Sequence, residues 1–234
     1  MSISDIELYH CPLTRSARVK WLLHELVDDD FTVHRLDLYN MDGYHPDYLQ
    51  MNPNHNVPLI RFRMADGSLV TIAESGAILT VLADAFPERK LAPPPAPLSP
   101  ERIDYQQTLY FGAAAIDMML WQIRIHQHVL PETQKDDRTI ARYRQKFAEE
   151  VEPQLAARLG QGGFICGAHF SAADCMIGHG VMWARSYGLC DGEVFDGYVA
   201  RLAASDAFAK AFADRGEFNP QVPPDAPVLE RFLG

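Results

Sequence analysis

The sequence predicts an α/β domain followed by an all-helical domain. Three observations lead to this prediction. Segments with strand and helix spacing alternate over residues 1–88. Residues 91–100 contain five prolines, which is typical of an extended linker. Beyond this segment the apolar residues recur at helical spacing. The predicted parts are therefore an α/β domain over residues 1–88, a linker over 89–100 and a helical domain over 101–234.

Composition limits the classes of function. The chain has 234 residues, 47% of them hydrophobic, which is the usual share for a globular protein with a substantial core. Its formal net charge is −10. This charge argues against non-specific binding to nucleic acid and against an anionic membrane surface, but it does not exclude a small anionic ligand.

The cysteines and the chain start indicate a compartment. No apolar run reaches the length of about 20 residues that a membrane helix needs. The first five residues lack the basic and apolar regions of a signal peptide. Four cysteines are widely spaced without a CxxC pair, which favours reduced cytoplasmic thiols over disulfides or a metal site; they are Cys11, Cys166, Cys175 and Cys190.

The first domain begins with a strand, a helix and a second strand. Strand signals cover residues 6–10 and 31–38, and helical spacing covers residues 15–26 between them. A strand–helix–strand unit predicts that the two strands are parallel. Thr14 or Ser16 is predicted to cap the helix.

Two further strands and a helix complete this domain. The strands are predicted from Val57-Pro58 through Arg63 and over residues 69–72, with a turn at Asp66-Gly67. Ser75 is predicted to open the helix. The order βαβ and then ββα is that of a thioredoxin-like domain.

Pro58 stands directly before an apolar pair at the start of a strand. Proline donates no hydrogen bond, so it is confined to such entrances, and a sharp turn there makes Val57-Pro58 a candidate cis bond. This turn would leave the main-chain groups of Val57 open to a ligand that lies like an added strand.

The second domain is predicted to contain two long helices and several shorter ones. The long helices cover residues 101–128 and 135–159, and Pro153 is expected to kink the second. Ser171 and Asp174 match a capping box before an apolar helix that runs through Trp183. Shorter helices are predicted near residues 195–203 and 206–213, followed by a proline-rich tail on the surface.

Four motifs in order resemble the soluble glutathione transferases. They are residues 8–18 (LYHCPLTRSAR), residues 52–58 (NPNHNVP), residues 74–78 (ESGAI) and residues 167–174 (GAHFSAAD). The loop is similar to that of bacterial members with a catalytic Ser or Thr, with a Cys-Pro pair as in omega-like members. The resemblance implies a thioredoxin-like domain followed by the family's all-helical domain, a cytoplasmic homodimer, and a role in detoxification.

The resemblance also implies glutathione as co-substrate, without a metal. Glu74 and Ser75 would bind the γ-glutamyl end, since Ser75 lies at a helix start that suits an anion. Val57, before Pro58, would pair with the cysteinyl unit, and His55 and Asn56 would reach the glycyl end. The implied glutathione-binding residues are Thr14, His55, Asn56, Val57, Pro58, Glu74 and Ser75.

Thiolate formation needs a hydrogen-bond donor. Lowering a thiol pKa of about 8.5 by two units needs about 2.7 kcal/mol, whereas an exposed helix N-terminus supplies only about 0.3 to 1 kcal/mol. A hydroxyl donor adds about 1.5 to 3 kcal/mol. Thr14 is the first candidate because it lies two residues after Pro12, as the catalytic Ser does in Ser-type members. Ser16 is the second candidate and Tyr9 the third.

Cys11 offers an alternative reaction. Cys11-Pro12 resembles the Cys-Pro of omega-like members, in which the cysteine forms a mixed disulfide with glutathione. A cysteine just before a helix is expected to have a lowered pKa and to be reactive. The chain would then act as a thiol-transferase or reductase.

The second substrate is expected in an apolar pocket between the two domains. Tyr110, Met118 and Trp121 are its predicted lining, with Met119 and Trp183 nearby. The resulting function is conjugation of glutathione to a small hydrophobic electrophile. The alternatives are the Cys11 reaction and a binding protein of this fold without catalysis.

Overall fold

A computed structural model describes residues 3–230 of the chain. The first two and last four residues, which the predicted domains 1–88 and 101–234 include, lie outside the described residues. The chain forms two compact units. One contains the residues up to Arg89 together with those from Asp206 onward, and the other is Lys90–Ser205. The segment from Asp206 onward therefore packs with the α/β unit, whereas the predicted division at residues 89–100 assigns it to the helical domain.

The first unit has the predicted order of strands and helices, with one additional short helix, α2 (Pro46–Met51), between the second and third strands. Their bounds are β1 Ile3–His10, α1 Ser16–Val27, β2 Thr32–Arg35, α2 Pro46–Met51, β3 Leu59–Met64, β4 Leu69–Ala73 and α3 Ser75–Ala85. The strands lie in the order β2-β1-β3-β4. β1 pairs with β2 in parallel, and β3 pairs with β1 and β4 in antiparallel. This mixed four-stranded sheet confirms the thioredoxin-like fold.

The two faces of the sheet bury different sets of side chains. Along β1, Ile6, Leu8 and His10 alternate as buried residues. On the opposite face, Tyr9 packs against a cluster that we call the α2 cluster, formed by Leu36, Tyr48, Val57 and Leu59. A histidine therefore occupies a core position at the end of β1.

Helix α1 is almost entirely buried and begins without a side-chain cap. Arg15 is the residue at its N-cap, and no cap hydrogen bond from a side chain is formed there. The predicted cap by Thr14 or Ser16 is therefore wrong. The reason is that the Cys11 carbonyl, 2.7 and 3.0 Å from the Thr14 and Ser16 hydroxyl oxygens, is a competing acceptor for their protons.

The segment after Asp206 packs on α1. Helix α10, Asp206–Ala211, brings Phe208 and the following Phe212 edge-on to Trp21, with ring centroids 5.1 and 5.9 Å apart. Further along, the main-chain N–H of Val228 donates to the carbonyl of Tyr39. The last described part of the chain thus completes the core of the first unit.

The second unit is helical. Its helices are α4 Pro100–Phe111, α5 Asp117–Arg124, α6 Asp137–Lys146, α7 Glu152–Leu159, α8 Ala172–Arg185 and α9 Glu193–Ala203. Single π-helical turns join α4 to α5 and α6 to α7, and a third follows α5. The two predicted long helices are therefore present. The π turn before α7 ends at Val151, two residues before Pro153, where a main-chain donor is missing.

The capping box predicted at α8 is confirmed. The hydroxyl and main-chain N–H of Ser171 both donate to the Asp174 carboxylate, at 3.0 and 2.9 Å. The carbonyl of Leu91, in the proline-rich segment, accepts a hydrogen bond from the N–H of Ala172. That segment is therefore bound to the helical unit. Within residues 3–230, every helix is too short or too polar to span a bilayer.

Candidate active site

The loop between β1 and α1 concentrates hydroxyl groups. The Thr14 hydroxyl lies 2.7 Å from the carbonyl of Cys11 and 2.9 Å from the Ser16 hydroxyl oxygen. Leu13, directly before Thr14, has a left-handed backbone with φ of 54°. Thr14 is half-buried and Ser16 is fully buried. Of the two hydroxyls, that of Thr14 is therefore the one accessible to a ligand.

Cys11 lies between this loop and the sheet. Its side chain is half-buried and packs against the α2 cluster, which includes Val57. Its N–H donates to the Ser16 hydroxyl oxygen at 3.1 Å. Tyr9, the third hydroxyl candidate, packs on the same cluster and stacks on His34 with ring centroids 4.7 Å apart. The stacking on His34 thus fixes the position of the Tyr9 ring on this face of the sheet.

The Val57-Pro58 bond is cis, as the sequence predicts. Among the described residues, no hydrogen bond engages the main-chain N–H or carbonyl of Val57. The carbonyl of the preceding Asn56 is occupied, because it accepts from the Tyr48 hydroxyl at 2.6 Å and from the Asn52 amide at 2.8 Å. These two donors fix the turn and leave the hydrogen-bonding capacity of the Val57 peptide groups unused, and Val57 itself is buried at 7% exposure.

His55 is an exposed residue with a defined orientation. Its ring stacks on that of Tyr44, with centroids 4.1 Å apart, and its Nε2 lies 3.1 Å from the Tyr44 hydroxyl. Its φ is 49°, in the left-handed region. Gly43 makes this arrangement possible, because a Cβ at that position would lie 2.2 Å from the His55 carbonyl oxygen.

Ser75 opens helix α3, and Glu74 is the residue at its N-cap with φ of 70°. The Ser75 hydroxyl accepts a hydrogen bond of 3.3 Å from the Arg18 guanidinium. Since Arg18 supplies the proton, the Ser75 hydroxyl keeps its own proton for an acceptor. A helix N-terminus, a hydroxyl donor and a buried cation make this end of α3 suitable for a carboxylate.

A chain of polar groups extends inward from the β1–α1 loop. His10 Nδ1 lies 2.8 Å from the Ser16 hydroxyl oxygen, and His10 Nε2 lies 3.0 Å from Asp214 Oδ2. Lys20 Nζ, at 2.7 Å, and an Arg35 nitrogen, at 3.0 Å, also donate to that carboxylate oxygen.

The charges around this chain shift two pKa values. Burial lowers the pKa of His10, and the opposing effect of Asp214 does not restore it. Burial acts to raise the pKa of Asp214, but hydrogen bonds from His10 and Lys20 outweigh it and lower that pKa. At neutral pH, His10 is therefore neutral and carries its proton on Nε2, facing the ionised Asp214.

The structure brings some of the predicted site residues together. Thr14, Ser16 and Cys11 share one hydrogen-bonded loop, Cys11 packs on the cluster that contains Val57, and Arg18 joins α1 to Ser75. The predicted pocket residues lie in the other unit. There Tyr110 is 70% exposed and Met118 is 41% exposed, whereas Trp121 is half-buried. The pocket stays a prediction.

Three polar residues near the site are absent from the sequence-based set. His10 could have been found, because it interrupts the alternation of inward apolar residues Ile6 and Leu8. Arg18 lies in the helical spacing of α1 but is fully buried. Asp214 is 204 residues from His10 and carries no local signal.

One group of potential metal ligands is present among the described residues. Atoms of His24, Asp28 and Asp29 lie within 4.8 Å of one another. The Lys210 ammonium forms ion pairs with both aspartates. The lysine thus balances one of the two negative charges of the cluster.

Comparison with known proteins identifies a family domain within the first unit. Residues 4–84 match the family model of the glutathione S-transferase N-terminal domain. This part of the chain is a glutathione S-transferase N-terminal domain. The chain is 27% identical over 174 residues to the disulfide-bond oxidoreductase YfcG of Escherichia coli K12, covering 72% of this chain and 75% of YfcG.

Solved structures of glutathione transferases have the same fold. A glutathione transferase family member from Pseudomonas fluorescens with two glutathiones bound is 24% identical, with a TM-score of 0.77 over 89% of this chain and 92% of the other. A Burkholderia graminis glutathione transferase, also with two glutathiones per subunit, is 23% identical, with a TM-score of 0.78 over 92% and 90%. The URE2P6 transferase of Phanerochaete chrysosporium, with oxidised glutathione, is 22% identical, with a TM-score of 0.76 over 92% and 97%.

Proposed function

We propose that this protein is a glutathione transferase that binds glutathione, presents its sulfur as a thiolate beside Thr14, and transfers it to a small hydrophobic electrophile. The observation that carries the proposal is the pairing of an accessible Thr14 hydroxyl with the open main chain of Val57 in one unit. The match of residues 4–84 to the glutathione S-transferase N-terminal domain and the similar structures with bound glutathione support the choice of ligand.

Each part of glutathione has a matching group in the first unit. The peptide groups of Val57 would pair with the cysteinyl unit as an added strand does. The Ser75 hydroxyl and the α3 N-terminus would bind the γ-glutamyl carboxylate, and Glu74 would accept from its ammonium. His55 and the side-chain amide of Asn56 would donate to the glycyl carboxylate.

The energy needed for the thiolate matches what the loop offers. Lowering the thiol pKa by about two units needs about 2.7 kcal/mol. The N-terminus of α1 supplies about 0.3 to 1 kcal/mol, and a hydrogen bond from Thr14 to the charged sulfur supplies about 1.5 to 3 kcal/mol. The two together reach the required amount, whereas the helix terminus alone does not.

A second candidate function is reduction of a disulfide by glutathione. It is favoured by the similarity to YfcG, which is a disulfide-bond oxidoreductase, and by relatives with oxidised glutathione. In this reaction the glutathione thiolate attacks a sulfur of the substrate disulfide and the other sulfur leaves as a thiolate. Cys11 offers an alternative route, in which its own thiolate attacks the disulfide first.

Two variants separate these functions. Thr14→Val removes the hydroxyl and keeps the side-chain shape, and Cys11→Ser removes the thiol. Turnover of a halonitrobenzene and of a small glutathione-containing disulfide is measured for both variants, with Thr71→Val on exposed β4 as the matched control. The proposal predicts that conjugation falls about tenfold to a hundredfold in Thr14→Val and persists in Cys11→Ser and Thr71→Val.

The other outcomes lead to different conclusions. Loss of disulfide reduction in Cys11→Ser, with no conjugation in the wild type, would support the cysteine route. Disulfide reduction that depends on Thr14 but not on Cys11 would support the second candidate function without a protein thiol. Tight glutathione binding without turnover of either substrate would indicate a binding protein.

We also propose a cytoplasmic homodimer. The cysteines within residues 3–230 form no disulfide, which suits a reducing compartment, and the resemblance to glutathione transferases supports a dimer. Light scattering after gel filtration tests the dimer, with a monomer mass as the contrary result. Fractionation of the source cells tests the compartment.

A further inference from the structure

The hydroxyls of the β1–α1 loop are linked to a buried histidine and, through it, to a partly buried carboxylate. In order, the chain runs from Thr14 Oγ1 to Ser16 Oγ over 2.9 Å, to His10 Nδ1 over 2.8 Å, and from His10 Nε2 to Asp214 Oδ2 over 3.0 Å. His10 and Ser16 are fully buried, and only Thr14 is open to a ligand. The chain thus connects the candidate sulfur site to an interior base.

The neutral state of His10 fixes the direction of these hydrogen bonds. Because Nε2–H donates to Asp214, Nδ1 carries no proton and must accept one from the Ser16 hydroxyl. The Ser16 oxygen then accepts from the N–H of Cys11 and from the hydroxyl of Thr14. The Ser16 hydroxyl proton therefore points toward His10, whereas the Thr14 hydroxyl proton has two acceptors, the Cys11 carbonyl at 2.7 Å and the Ser16 oxygen at 2.9 Å.

A count of protons shows what changes when a thiolate is present. The two hydroxyl protons then have three acceptors, which are His10 Nδ1, the Cys11 carbonyl and the thiolate. With neutral His10, one of these acceptors receives no hydroxyl proton; if it is the Cys11 carbonyl, it keeps only the 3.3 Å hydrogen bond from the N–H of Thr14. If Nδ1 is protonated it becomes a donor to Ser16, and the two hydroxyl protons can serve the Cys11 carbonyl and the thiolate. The thiolate state and the imidazolium state therefore favour each other.

We propose that this chain carries the thiol proton of bound glutathione to His10, with Asp214 holding the imidazolium that results. The proposal rests on the proposed binding of glutathione beside Thr14. The S–H proton moves to Thr14 Oγ1, the Thr14 hydroxyl proton to Ser16 Oγ, and the Ser16 hydroxyl proton to His10 Nδ1. Each oxygen gains one proton and loses one, the sulfur keeps its electron pair, and the net change is one thiolate and one imidazolium.

The charged groups that face His10 determine how readily it is protonated. Asp214 favours its protonation, whereas Lys20 and Arg35 oppose it. His10, Lys20 and Arg35 all contact the same oxygen of the Asp214 carboxylate, so Asp214 stays ionised throughout. Burial holds the pKa of His10 low in the free protein, and the thiolate at the other end of the chain counteracts this. His10 and Asp214 act through Ser16 and Thr14, and they are positioning residues.

The test uses the full chain with glutathione. Binding is measured by calorimetry, thiolate formation by ultraviolet absorbance over a pH series, and the protonation of His10 by NMR of protein labelled with ¹⁵N-histidine. The variants are Ser16→Ala, which leaves His10 and Asp214 in contact, His10→Gln, and the double variant. His34→Gln is the control. His34 is a half-exposed histidine on β2, and it bonds to Glu7 of β1.

We expect the wild type to gain an imidazolium signal from His10 as the thiolate forms. Ser16→Ala and His10→Gln should each raise the apparent thiol pKa by about one unit, which is about tenfold less thiolate at neutral pH. The double variant should shift it no further than either single variant, because all act on one chain. His34→Gln should behave as the wild type.

Two results would overturn the proposal in distinguishable ways. An unchanged thiol pKa in Ser16→Ala, with His10 neutral in the complex, removes the proton path and leaves the proposed function intact. Absence of glutathione binding in the wild-type calorimetry overturns the proposed function itself, and the proton path with it.

Discussion

The guanidinium of Arg18 donates to the hydroxyl of Ser75 over 3.3 Å, and it does so from a fully buried position in α1. This contact joins the helix that follows the Thr14 loop to the helix whose N-terminus suits a carboxylate. It also fixes the role of the serine hydroxyl, which accepts from Arg18 and is left to donate.

The first prediction concerns this serine. Ser75→Ala should weaken glutathione binding by about tenfold, because a hydrogen bond to a charged group contributes about 1.5 kcal/mol or more. The rate of the bound complex should change little, since under the proposed function the serine binds the γ-glutamyl carboxylate and not the sulfur. Titration calorimetry and the separate KM and kcat values measure this.

The control is Thr80→Val, which removes a hydroxyl of α3 that bonds to a carbonyl of the same helix. Equal affinity for glutathione in Ser75→Ala and the wild type would contradict the assignment of this end of α3.

A second prediction tests the close approach of Gly43 to the main chain of His55. In Gly43→Ala the added Cβ would meet the His55 carbonyl oxygen, which is 2.2 Å away and belongs to the main chain. The loop that contains His55 and Asn56 must move, and glutathione affinity should fall at least tenfold. Gly216→Ala is the matched control, because nothing lies within 4 Å of its Cβ. If Gly43→Ala binds glutathione as tightly as the control, the loop does not contribute to binding.

The third prediction concerns the buried carboxylate of Asp174. It accepts hydrogen bonds from the N–H groups of Ile165 and Ser171 and from the hydroxyls of Ser171 and Tyr198. Asp174→Ala should lower the free energy of unfolding by about 3 kcal/mol or more, since a cap is lost and buried donors are left without an acceptor.

Urea unfolding measures this effect. Ser99→Ala is the comparison, because Ser99 caps α4 through one hydrogen bond to the N–H of Arg102 and should cost only about 1 kcal/mol. Asp174→Asn should also destabilise, since its amide group would face other donors. Equal losses at Ser99 and Asp174 would show that the buried network adds nothing beyond a cap.

The fourth prediction is that the free energy of unfolding decreases as the pH falls. The pKa of His10 is lowered from 6.5, mainly by burial, so the unfolded chain binds a proton first as pH falls. Stability therefore declines as pH falls below about 6.5. The pKa of Asp214 is lowered from 3.8, so its contribution is present above that value and is lost at lower pH.

Unfolding free energies measured from pH 8 to pH 4 test this prediction. His10→Gln should flatten the part of the curve below about pH 6.5, whereas His34→Gln should keep it. A curve for His10→Gln that runs parallel to the wild type would show that His10 is not the group responsible.

The sequence predicts the fold well where local patterns decide it. The alternation along β1, the helical spacing of α1 and the turn at Asp66-Gly67 all predict elements that are present. The cis bond before Pro58 and the capping box at Ser171 are also local signals, and both are confirmed.

Contacts between distant segments could not be predicted in this way. No periodicity links Asp214 to β1, and nothing local indicates that α10 packs on Trp21. The predicted cap of α1 failed for a related reason. The hydroxyls of Thr14 and Ser16 have a competing acceptor in the Cys11 carbonyl, which only the folded loop brings near.

The return of the last helix to the first unit has a consequence for biosynthesis. Domains generally fold as they leave the ribosome, beginning with the N-terminal one. Here β1 and α1 are synthesised early, but the partners of Trp21 and His10 follow only after the whole of Lys90–Ser205 has been made. We expect the nascent α/β unit to remain incompletely packed until translation passes Asp214, so that the helical unit is the first to become fully folded.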